Sequence, residues 1–546
     1  MTDNIEPVNI ATELIKAGKD SEAFSILETA SDNGDVKARY LMAVMLEAGK
    51  GTAQDPVKAR PLIISAAQLG NPDAQTRVAG FYALGDEVDV DYEKAAYWFE
   101  KAAEQGDGTA IHDLGNMHFS GLHYEKNEKK GLALYKISAN LGNPTGQYSY
   151  GKHLLNSQEP SEVAEGIALL EKAQLQGSAA AQTALATLYV EGKLVDKDYT
   201  KSFGLFASAA ASGNAEAIVG LGMHYWLGYG CEPNMAEASE LFKIAAYMGA
   251  AQAQFNLAWI YYHGVGLDQD YEEAVFWYRR AADQRHPGGM RELGGMYEIG
   301  AGGLKQDFER AAELYLFSAE MGDTVGEYNS GVCYEHGQGV PKNLTLAASY
   351  YERAAAKGDQ SAQLNLGLLH RQGLSGQPDY EKSLYWLEAA ATSGHPKAFG
   401  ALAENYINGF GVEKSIGKAI HYLELGAKKG EAHTQYNLAI ILKGGFGAPA
   451  EPEKSAFWLK QAANQSLASA QIDLAILLLE GIGMDVDHSE GYKWAVLGDI
   501  NGDDRGPELL AYCENHVSPR DLNEGRRRAE AFLNAAKQPP SSSLGG

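Results

Sequence analysis

Residues 253–282 read AQFNLAWIYYHGVGLDQDYEEAVFWYRRAA, two apolar stretches joined by the glycine-rich segment HGVGLDQD at 263–270. A Gly-x-Gly turn followed by two aspartates is compatible with a phosphate-binding loop or a metal site. It is equally compatible with a turn between two helices. The rest of the chain separates these interpretations, because the segment has counterparts elsewhere in the sequence.

The chain is built from a repeat of about 36 residues, marked by a glycine that closes each alanine-rich stretch. We call this position the landmark and number the following positions as slots, so that slot six is six residues after it. Thirteen units lie between fourteen landmarks, two of which are Arg285 and Ser466 instead of glycine. The landmark glycines are Gly34, Gly70, Gly106, Gly142, Gly177, Gly213, Gly249, Gly322, Gly358, Gly394, Gly430 and Gly502. A period of this length is typical of solenoids and other repeat arrays.

Each unit predicts two helices. Slot four is usually alanine, slot eight is usually leucine, and slot nine is glycine or alanine in all thirteen units. Slots four and eight share one face of a helix, and the small residue at slot nine predicts close approach of a second helix. That second helix begins after Asp, Asn or Ser fifteen residues before the next landmark, as at Asp270. Helices of about a dozen residues must bury against neighbours, so the sequence predicts an all-α helix-turn-helix solenoid.

The segment HGVGLDQD recurs in register as LGYGCEPN, HGQGVPKN, NGFGVEKS and EGIGMDVD. A phosphate-binding loop would need a third glycine or a following Lys-Ser/Thr and a preceding strand, and these are missing. Two acids per loop are too few for calcium. His112, His118 and His123 share a unit, but their spacing does not suit one helical face for zinc. We therefore predict a turn in which Asp270 caps a helix, with no metal and no cofactor.

The pattern A-x-x-x-L-G-x-x-Y-x-x-G-x-G-x-x-x-D-x-x-x-A-x-x-W-Y-x-x-A-A-x-x-G resembles the Sel-one-like repeat, a relative of the tetratricopeptide repeat. Units 250–285 and 359–394 carry it most completely. The resemblance implies a right-handed α/α superhelix in which the first helix of each unit, helix A, lines the concave side. We assign residues 1–34 to a degenerate N-terminal helical hairpin, 35–502 to thirteen repeats, 503–537 to C-terminal capping helices and 538–546 to a disordered tail.

Composition restricts the partners and the compartment. The net charge of −25 argues against a nucleic-acid partner and is compatible with a basic protein partner. No apolar run approaches the ~20 residues of a membrane span, and the N-terminus lacks the features of a signal peptide. The three cysteines are widely separated, which predicts a reducing, cytoplasmic location.

Candidate binding residues lie on helix A where the repeat does not dictate the residue. Aromatic side chains recur at slot six, and Trp259 occupies slot ten. They suit a peptide-binding groove or, alternatively, the packing between repeats. In tetratricopeptide relatives, helix-A asparagines hold the backbone of an extended peptide, and the resemblance transfers this role to slot seven. The predicted partner-binding residues are Tyr148, Phe255, Asn256, Trp259, Tyr328, Asn329, Asn365, Tyr436 and Asn437.

The sequence thus predicts a non-catalytic scaffold or adaptor that binds a protein or peptide on the concave face. The resemblance implies bacterial adaptor roles in signalling, envelope assembly or host contact. One alternative is an enzyme-like, β-lactam-binding relative of the cysteine-rich repeat proteins, although their paired cysteines are missing. A self-assembling structural protein is another.

Overall fold

The computed structural model describes residues 7–86, 88–374, 376–444 and 449–537. The predicted disordered tail at 538–546 lies outside this part of the chain. Within the described residues the protein is entirely helical in its regular structure, with thirty helices in tandem. They form two compact units, the first ending at Gln269 and the second beginning at Asp270. The predicted all-α solenoid of helix pairs is confirmed.

The helices alternate between helix A and helix B of successive pairs. The odd-numbered helices, helix A of each pair, are α1 (Pro7–Lys16), α3 (Val36–Ala48), α5 (Pro72–Leu84), α7 (Gly108–Ser120), α9 (Pro144–Leu154), α11 (Ala179–Glu191), α13 (Ala215–Leu227), α15 (Ala251–His263), α17 (Pro287–Ile299), α19 (Thr324–His336), α21 (Gln360–Gln372), α23 (Pro396–Asn408), α25 (Ala432–Gly444), α27 (Ala468–Glu480) and α29 (Gly506–His516). The even-numbered helices are α2 (Asp20–Asp32), α4 (Pro56–Gln68), α6 (Tyr92–Glu104), α8 (Glu128–Asn140), α10 (Pro160–Leu175), α12 (Tyr199–Ala211), α14 (Met235–Tyr247), α16 (Tyr271–Asp283), α18 (Phe308–Glu320), α20 (Leu344–Ala356), α22 (Tyr380–Thr392), α24 (Ile416–Lys428), α26 (Pro452–Asn464), α28 (His488–Ile500) and α30 (Pro519–Lys537).

The small residue at slot nine lets the two helices of a pair approach closely. A Cβ atom added at Gly115 would lie 2.8 Å from the ring of Tyr135, and one at Gly367 would lie 2.8 Å from Leu387. Where slot nine is alanine, as at Ala258, the side chain is completely buried. Any larger residue would displace helix B, because helix packing leaves no free volume at such a contact.

The ends of helix B follow the predicted chemistry. The side chain of Asp91 accepts a hydrogen bond from the backbone N–H of Lys94, and Asn343 accepts one from Leu346. At the other end, the landmark residue follows the last helical turn in the left-handed conformation, with φ of +96° at Gly70. This geometry suits glycine, which has no Cβ to clash with the preceding carbonyl.

The turn HGVGLDQD has the role that its recurrence predicts. Gly264 ends α15 with φ of +66°, and Asp270 caps α16 by accepting from the N–H groups of Glu272 and Glu273. Gly266 packs against helix B of the preceding repeat, since a Cβ there would lie 2.8 Å from the Met235 side chain and 2.9 Å from Ser239 Oγ. Both glycines are therefore explained by the turn and its packing.

A buried amide at slot five connects helices of neighbouring pairs in several repeats. Gln435 donates from Nε2 to the carbonyl oxygen of Ala427 on the preceding helix B at 3.1 Å, and its Oε1 accepts from Gln465 at 2.8 Å. Gln471 makes the same contacts with Ala463 and Asn501. These bonds satisfy a buried polar side chain and fix neighbouring helices together.

One repeat replaces this amide pair by ions. Glu327 occupies slot five, is 1% exposed, and lies 2.7 Å from Lys357 Nζ and 2.8 Å from Arg353. A carboxylate cannot donate a hydrogen bond, so Arg353 supplies the bond to the carbonyl oxygen of Ala319 at 2.7 Å. The position keeps its connections although its chemistry changes.

The repeat at 144–178 is irregular, as its missing turn glycine indicates. Its helix A, α9, is shorter than the thirteen residues of most others, and its helix B, α10, is extended to sixteen. The N-cap residue of α10, Glu159, makes no side-chain capping bond. The two helices nevertheless remain packed against each other.

The C-terminal helices depart from the repeat geometry. Helix α30 packs against α28 through Ala529 and an edge-to-face contact of 5.4 Å between Phe532 and Trp494. Arg528 adds an ion pair of 3.1 Å with Glu490. These contacts suit a terminal cap. The boundaries assigned to the N-terminal hairpin, the repeats and the cap remain predictions.

Candidate functional site

The predicted aromatic residues are half-buried and belong largely to the packing between repeats. Tyr148, Tyr328 and Tyr436 each pack against a hydrophobic cluster formed with the next repeat. Trp259 lies 5.0 Å from Trp226 of the preceding helix A and 4.0 Å from His263, measured between ring centroids. Phe255 is also half-buried. Their main contacts therefore lie between repeats, which is the alternative to a peptide-binding groove that the sequence left open.

The four predicted asparagines do not share one environment. Asn256 is 5% exposed and bonds to Gln252 and to the sulfur of Met223. Asn365 is half-buried and donates to the hydroxyl of Tyr351 at 3.3 Å, and Asn329 is also half-buried. Asn437 is exposed. A continuous row of asparagines that all face a ligand is therefore not formed, although Asn437 is available to one.

The second unit contains an open groove on the helix-A side, with a volume of about 760 Å³. It runs across helix A of three successive repeats, α21, α23 and α25, and is mainly apolar. Its lining includes Leu368, Arg371, Lys397, Gly400, Ala401, Ala403, Glu404, Ile407, Ile416, Leu423, Glu431, His433, Thr434, Tyr436, Asn437, Ile440 and Ile441. Of the nine predicted binding residues, Tyr436 and Asn437 line this groove.

The groove exists because one repeat lacks a side chain at slot six. Gly400 occupies the slot that holds Tyr328 and Tyr436 in other repeats, and the nearest atom to an added Cβ would be Thr434 Cγ2 at 3.7 Å. The missing aromatic ring leaves an apolar depression above α23. The sequence shows a glycine at slot six, where the other repeats have a larger side chain. Only the placement of the neighbouring helices shows that this glycine leaves a groove.

Several polar residues of the groove contact one another. Arg371 forms an ion pair of 2.9 Å with Glu404, which is 51% exposed. Burial opposes ionisation of Glu431, but hydrogen bonds from Thr434 and His433 outweigh it, so the pKa of Glu431 is lowered from its ordinary value. The groove thus presents a fixed ion pair beside an apolar floor.

A second, smaller groove of about 330 Å³ continues the same kind of surface between α27 and α29. Its apolar lining includes Ile472, Ile476, Leu479, Leu509 and Tyr512. Both grooves are lined by slot-ten residues, namely Leu368, Glu404 and Ile440 in the first and Ile476 in the second. The sequence pointed to slots six, seven and ten, and residues from all three slots line the first groove, such as Tyr436, Asn437 and Ile440.

The first unit holds a serine, a histidine and an aspartate in the order found in hydrolases. His112 Nε2 lies 2.9 Å from Ser149 Oγ, and Nδ1 lies 3.0 Å from Asp113 Oδ1. Hydrolysis also requires donors for the oxyanion. Ser149 lies in the middle of α9, where backbone N–H groups are used by the helix. The hydrogen-bonded series Ser149, His112 and Asp113 is better explained as a polar contact between repeats.

The described part of the chain offers little for metal or membrane chemistry. No group of three or more His, Cys, Asp or Glu side chains there is arranged to hold a metal ion. None of the helices at 7–86, 88–374, 376–444 and 449–537 has the length and apolarity needed to cross a membrane.

Comparison with known proteins identifies the repeat. Sel1 repeats match at residues 36–71, 72–107, 108–143, 179–214, 215–249, 251–286, 287–323, 324–359, 360–395, 401–431, 432–467 and 468–496. The gap coincides with the irregular repeat at 144–178. Twelve repeats are matched against the thirteen units predicted from spacing.

Solved structures with the same repeat are similar to the chain. A protective antigen of uropathogenic Escherichia coli with an SLR fold is 24% identical, covers 89% of this chain and 99% of its own, and has a TM-score of 0.59. A Sel1 repeat protein from Oxalobacter formigenes is 31% identical over 45% of this chain and 96% of its own, with a TM-score of 0.40.

Curated relatives match over shorter stretches. The DAP3-binding cell death enhancer 1 of Rattus norvegicus is 29% identical over 25% of this chain and 34% of its own. Chitin synthase regulatory factor 2 of Schizosaccharomyces pombe is 30% identical over 22% and 26% respectively. The chain spans about a third or less of the length of these relatives. The matches to the repeat itself cover more than half of the chain, and the chain therefore belongs to the Sel1 repeat family.

Proposed function

We propose that the protein is a non-catalytic scaffold that binds a peptide segment of a partner protein along its helix-A surface. The observation that carries this proposal is the apolar groove over Gly400, which three successive repeats line. Its volume suits one or two bulky side chains. We call it the Gly400 groove.

The relatives support an interaction role in general terms. One is named for binding DAP3 and another for regulating chitin synthase, and both names describe action through another protein. Of the predicted binding residues, we retain Tyr436 and Asn437 as direct contacts because they line the Gly400 groove. We propose that neighbouring repeats are held together by Tyr148, Phe255, Asn256, Trp259 and Tyr328.

The test fills the groove without disturbing the fold. Gly400→Tyr restores the aromatic side chain found at slot six of other repeats, and open space above the Cβ position receives it. Gly417→Tyr is the matched control, because Gly417 lies on α24 with no atom within 4 Å of an added Cβ. Both changes replace a helical glycine, so both variants should fold at least as stably as the parent protein.

A random peptide display library selected on the immobilised protein supplies the ligands. We expect selected peptides to lose affinity for Gly400→Tyr by at least tenfold and to keep it for Gly417→Tyr. Selected peptides that bind all three proteins equally would show that the Gly400 groove is not the binding site.

A further inference from the structure

The first unit contains an open groove of about 540 Å³ on its helix-A side. Its lining comes mainly from helix A of three successive pairs, α3, α5 and α7. The middle helix, α5, carries small residues there, with Thr76 at slot six and Gly80 at slot ten. No described atom lies within 4 Å of a Cβ added at Gly80. We call this opening the Thr76 groove.

The arginines at the Thr76 groove already have carboxylate partners. Arg77 lines the groove and pairs at 2.9 Å with Glu47, near the C-terminal end of α3. Asp86 also lines the groove and lies 3.8 Å from the guanidinium of Arg60 on α4. Arg60 and Arg77 are therefore each matched by a carboxylate of the protein itself.

Two further carboxylates of the groove have no such partner. Within the described residues, neither Asp73 nor Asp107 forms an ion pair. Asp107 uses Oδ1 to cap α7, accepting from the N–H of Ala110 at 2.8 Å. Burial, followed by the charge of Asp107, raises the pKa of Asp73, although the charge of Lys37 opposes this shift. Asp73 and Asp107 are thus close enough to repel each other, and a cation beside both would relieve the repulsion.

The second unit shows which group occupies the equivalent position. Arg291, at slot six of α17, donates from Nη1 to both carboxylate oxygens of Asp323 at 3.0 Å. Asp323 is the slot-one residue that caps the next helix A, α19. Asp107 stands in the same relation to α5, but slot six of α5 is Thr76, whose buried Oγ1 bonds to no described residue. The first unit therefore has the carboxylate of this ion pair without its guanidinium.

An aromatic ring lies beside the same position. Tyr40, at slot six of α3, lines the Thr76 groove and is half-buried, so part of its ring is open to a ligand. The preceding helix A of Arg291 likewise has an aromatic residue at slot six, Phe255. A guanidinium stacks on aromatic rings and pairs with carboxylates through parallel N–H groups, whereas an ammonium is a strongly hydrated point charge. The groove therefore suits arginine better than lysine.

We propose that the Thr76 groove binds an arginine side chain of a partner protein, with the guanidinium against Asp73 and Asp107 and beside the ring of Tyr40. The bound arginine has the role that Arg291 has in the second unit. The net charge of −25 favours the approach of a basic segment. This site is additional to the Gly400 groove and does not depend on it.

Short peptides test the chemistry of the contact. The probe is acetyl-Gly-Arg-Gly-amide, compared with peptides in which citrulline or lysine replaces arginine. Citrulline keeps the shape of arginine and removes its charge, whereas lysine keeps the charge and loses the paired N–H groups. Saturation-transfer NMR on the full chain at fixed, low ionic strength measures the dissociation constants. The arginine peptide should bind about tenfold or more tightly than the citrulline peptide, and equal binding of the arginine and lysine peptides would overturn the guanidinium contact.

Substitutions in the protein locate the contact. Thr76→Arg supplies the guanidinium from within, as Arg291 does for Asp323, and should abolish the preference for arginine over citrulline. Ser208→Arg adds the same charge at an exposed position on α12 and should keep the preference. Asp107→Asn preserves the helix cap, because asparagine is an equally good N-cap residue, and should reduce the preference about threefold or more.

Two outcomes would overturn this assignment. The arginine site lies elsewhere if Thr76→Arg keeps the preference of the parent protein, and Asp107→Asn decides the question if Thr76→Arg does not fold. Gly400→Tyr should leave binding of the arginine peptide unchanged. If Gly400→Tyr abolishes it, the peptide occupies the Gly400 groove, so the inference fails while the proposed function stands.

Discussion

Single landmark residues show how much the fold depends on one backbone conformation. Arg285 and Ser466 hold left-handed φ values of 60° and 64° where most repeats have glycine. A residue with a side chain in this conformation costs the folded state roughly 1–2 kcal/mol. Glycine removes this cost, but its greater conformational freedom in the unfolded chain offsets part of the gain in stability. We expect Ser466→Gly to raise the free energy of unfolding by about 0.5–1 kcal/mol, measured by urea denaturation.

The reciprocal change distinguishes strain from crowding. Gly358 has φ of +92° and no atom within 4 Å of an added Cβ, so Gly358→Ala meets no obstacle except its backbone conformation. It should lower the free energy of unfolding by about 1 kcal/mol. If Gly358→Ala proves neutral while Ser466→Gly is also neutral, the landmark glycine is not required for its left-handed conformation.

A buried histidine gives the protein a predictable response to acid. His118 is 5% exposed, stacks on Tyr124 at 4.2 Å, and has no hydrogen-bond partner for Nδ1. Burial, followed by the charge of Lys130, lowers its pKa from the ordinary value. The unfolded chain then binds a proton more readily than the folded chain below about pH 6.5. The contribution of His118 to stability is therefore constant above this pH and is lost as the pH falls towards the lowered pKa.

The corresponding variant is His118→Phe, which keeps the stacked ring and removes the titrating group. We expect the decrease in melting temperature between pH 7 and pH 5 to be smaller in His118→Phe than in the parent protein. His153→Phe, at an exposed histidine, is the matched control and should leave the decrease nearly unchanged. Identical pH profiles for His118→Phe and the parent would contradict the assignment.

Two side chains that together connect neighbouring helices can be replaced as a pair, whereas replacing one of them alone should lower stability. In the ionic repeat, Lys357→Gln leaves the buried carboxylate of Glu327 with one cation instead of two. We expect this change to lower the free energy of unfolding by about 1–2 kcal/mol. Adding Glu327→Gln recreates the amide pair seen at Gln435 and Gln465, and the double variant should recover to within about 1 kcal/mol of the parent.

A double-mutant cycle with denaturant unfolding measures this coupling. The coupling energy between Glu327 and Lys357 should be about 1–2 kcal/mol. Costs of the two single changes that simply add would show that each side chain acts alone, and that the resemblance to the amide pair is superficial.

How well each feature of this protein could be predicted depends on how far apart in the sequence the interacting residues lie. Helix ends could be predicted because caps and C′ residues act within four residues, as Asp270 and Gly70 illustrate. The pairing of helix A with helix B followed from the small residue at slot nine. The sequence alone could not show which side chains of helix A face a groove, because this depends on how one helix A packs on the next.

Slot six illustrates this limit. Tyr436 occupies slot six and was predicted to face a ligand, yet much of its ring packs against the next repeat. Gly400 occupies the same slot and opens a groove because it has no side chain. The sequence pattern treats both positions alike, and only the placement of neighbouring helices distinguishes a filled contact from an empty one.

On the scale of the whole molecule, stability should be local. Within each unit, helices pack mainly against their neighbours in the chain, with much weaker contacts to the helix two positions away, except that α30 packs against α28 and hardly against α29. In such an array, destabilisation at one end spreads only as far as the interfaces between repeats transmit it. Ala529, 1% exposed between α30 and α28, is the position from which to test this property.

Ala529→Glu buries a charge without a partner and should detach α30, since an uncompensated buried charge costs about 3–5 kcal/mol. Hydrogen exchange measured by mass spectrometry should then show loss of protection in α27, α28 and α30. Helices α17 to α20, in the same unit, should keep the protection of the parent protein. The control Ala531→Glu places the same charge at an exposed position on α30 and should change neither region. If α17 to α20 lose protection together with α28, the second unit unfolds as one cooperative body, and the nearest-neighbour description of this solenoid is wrong.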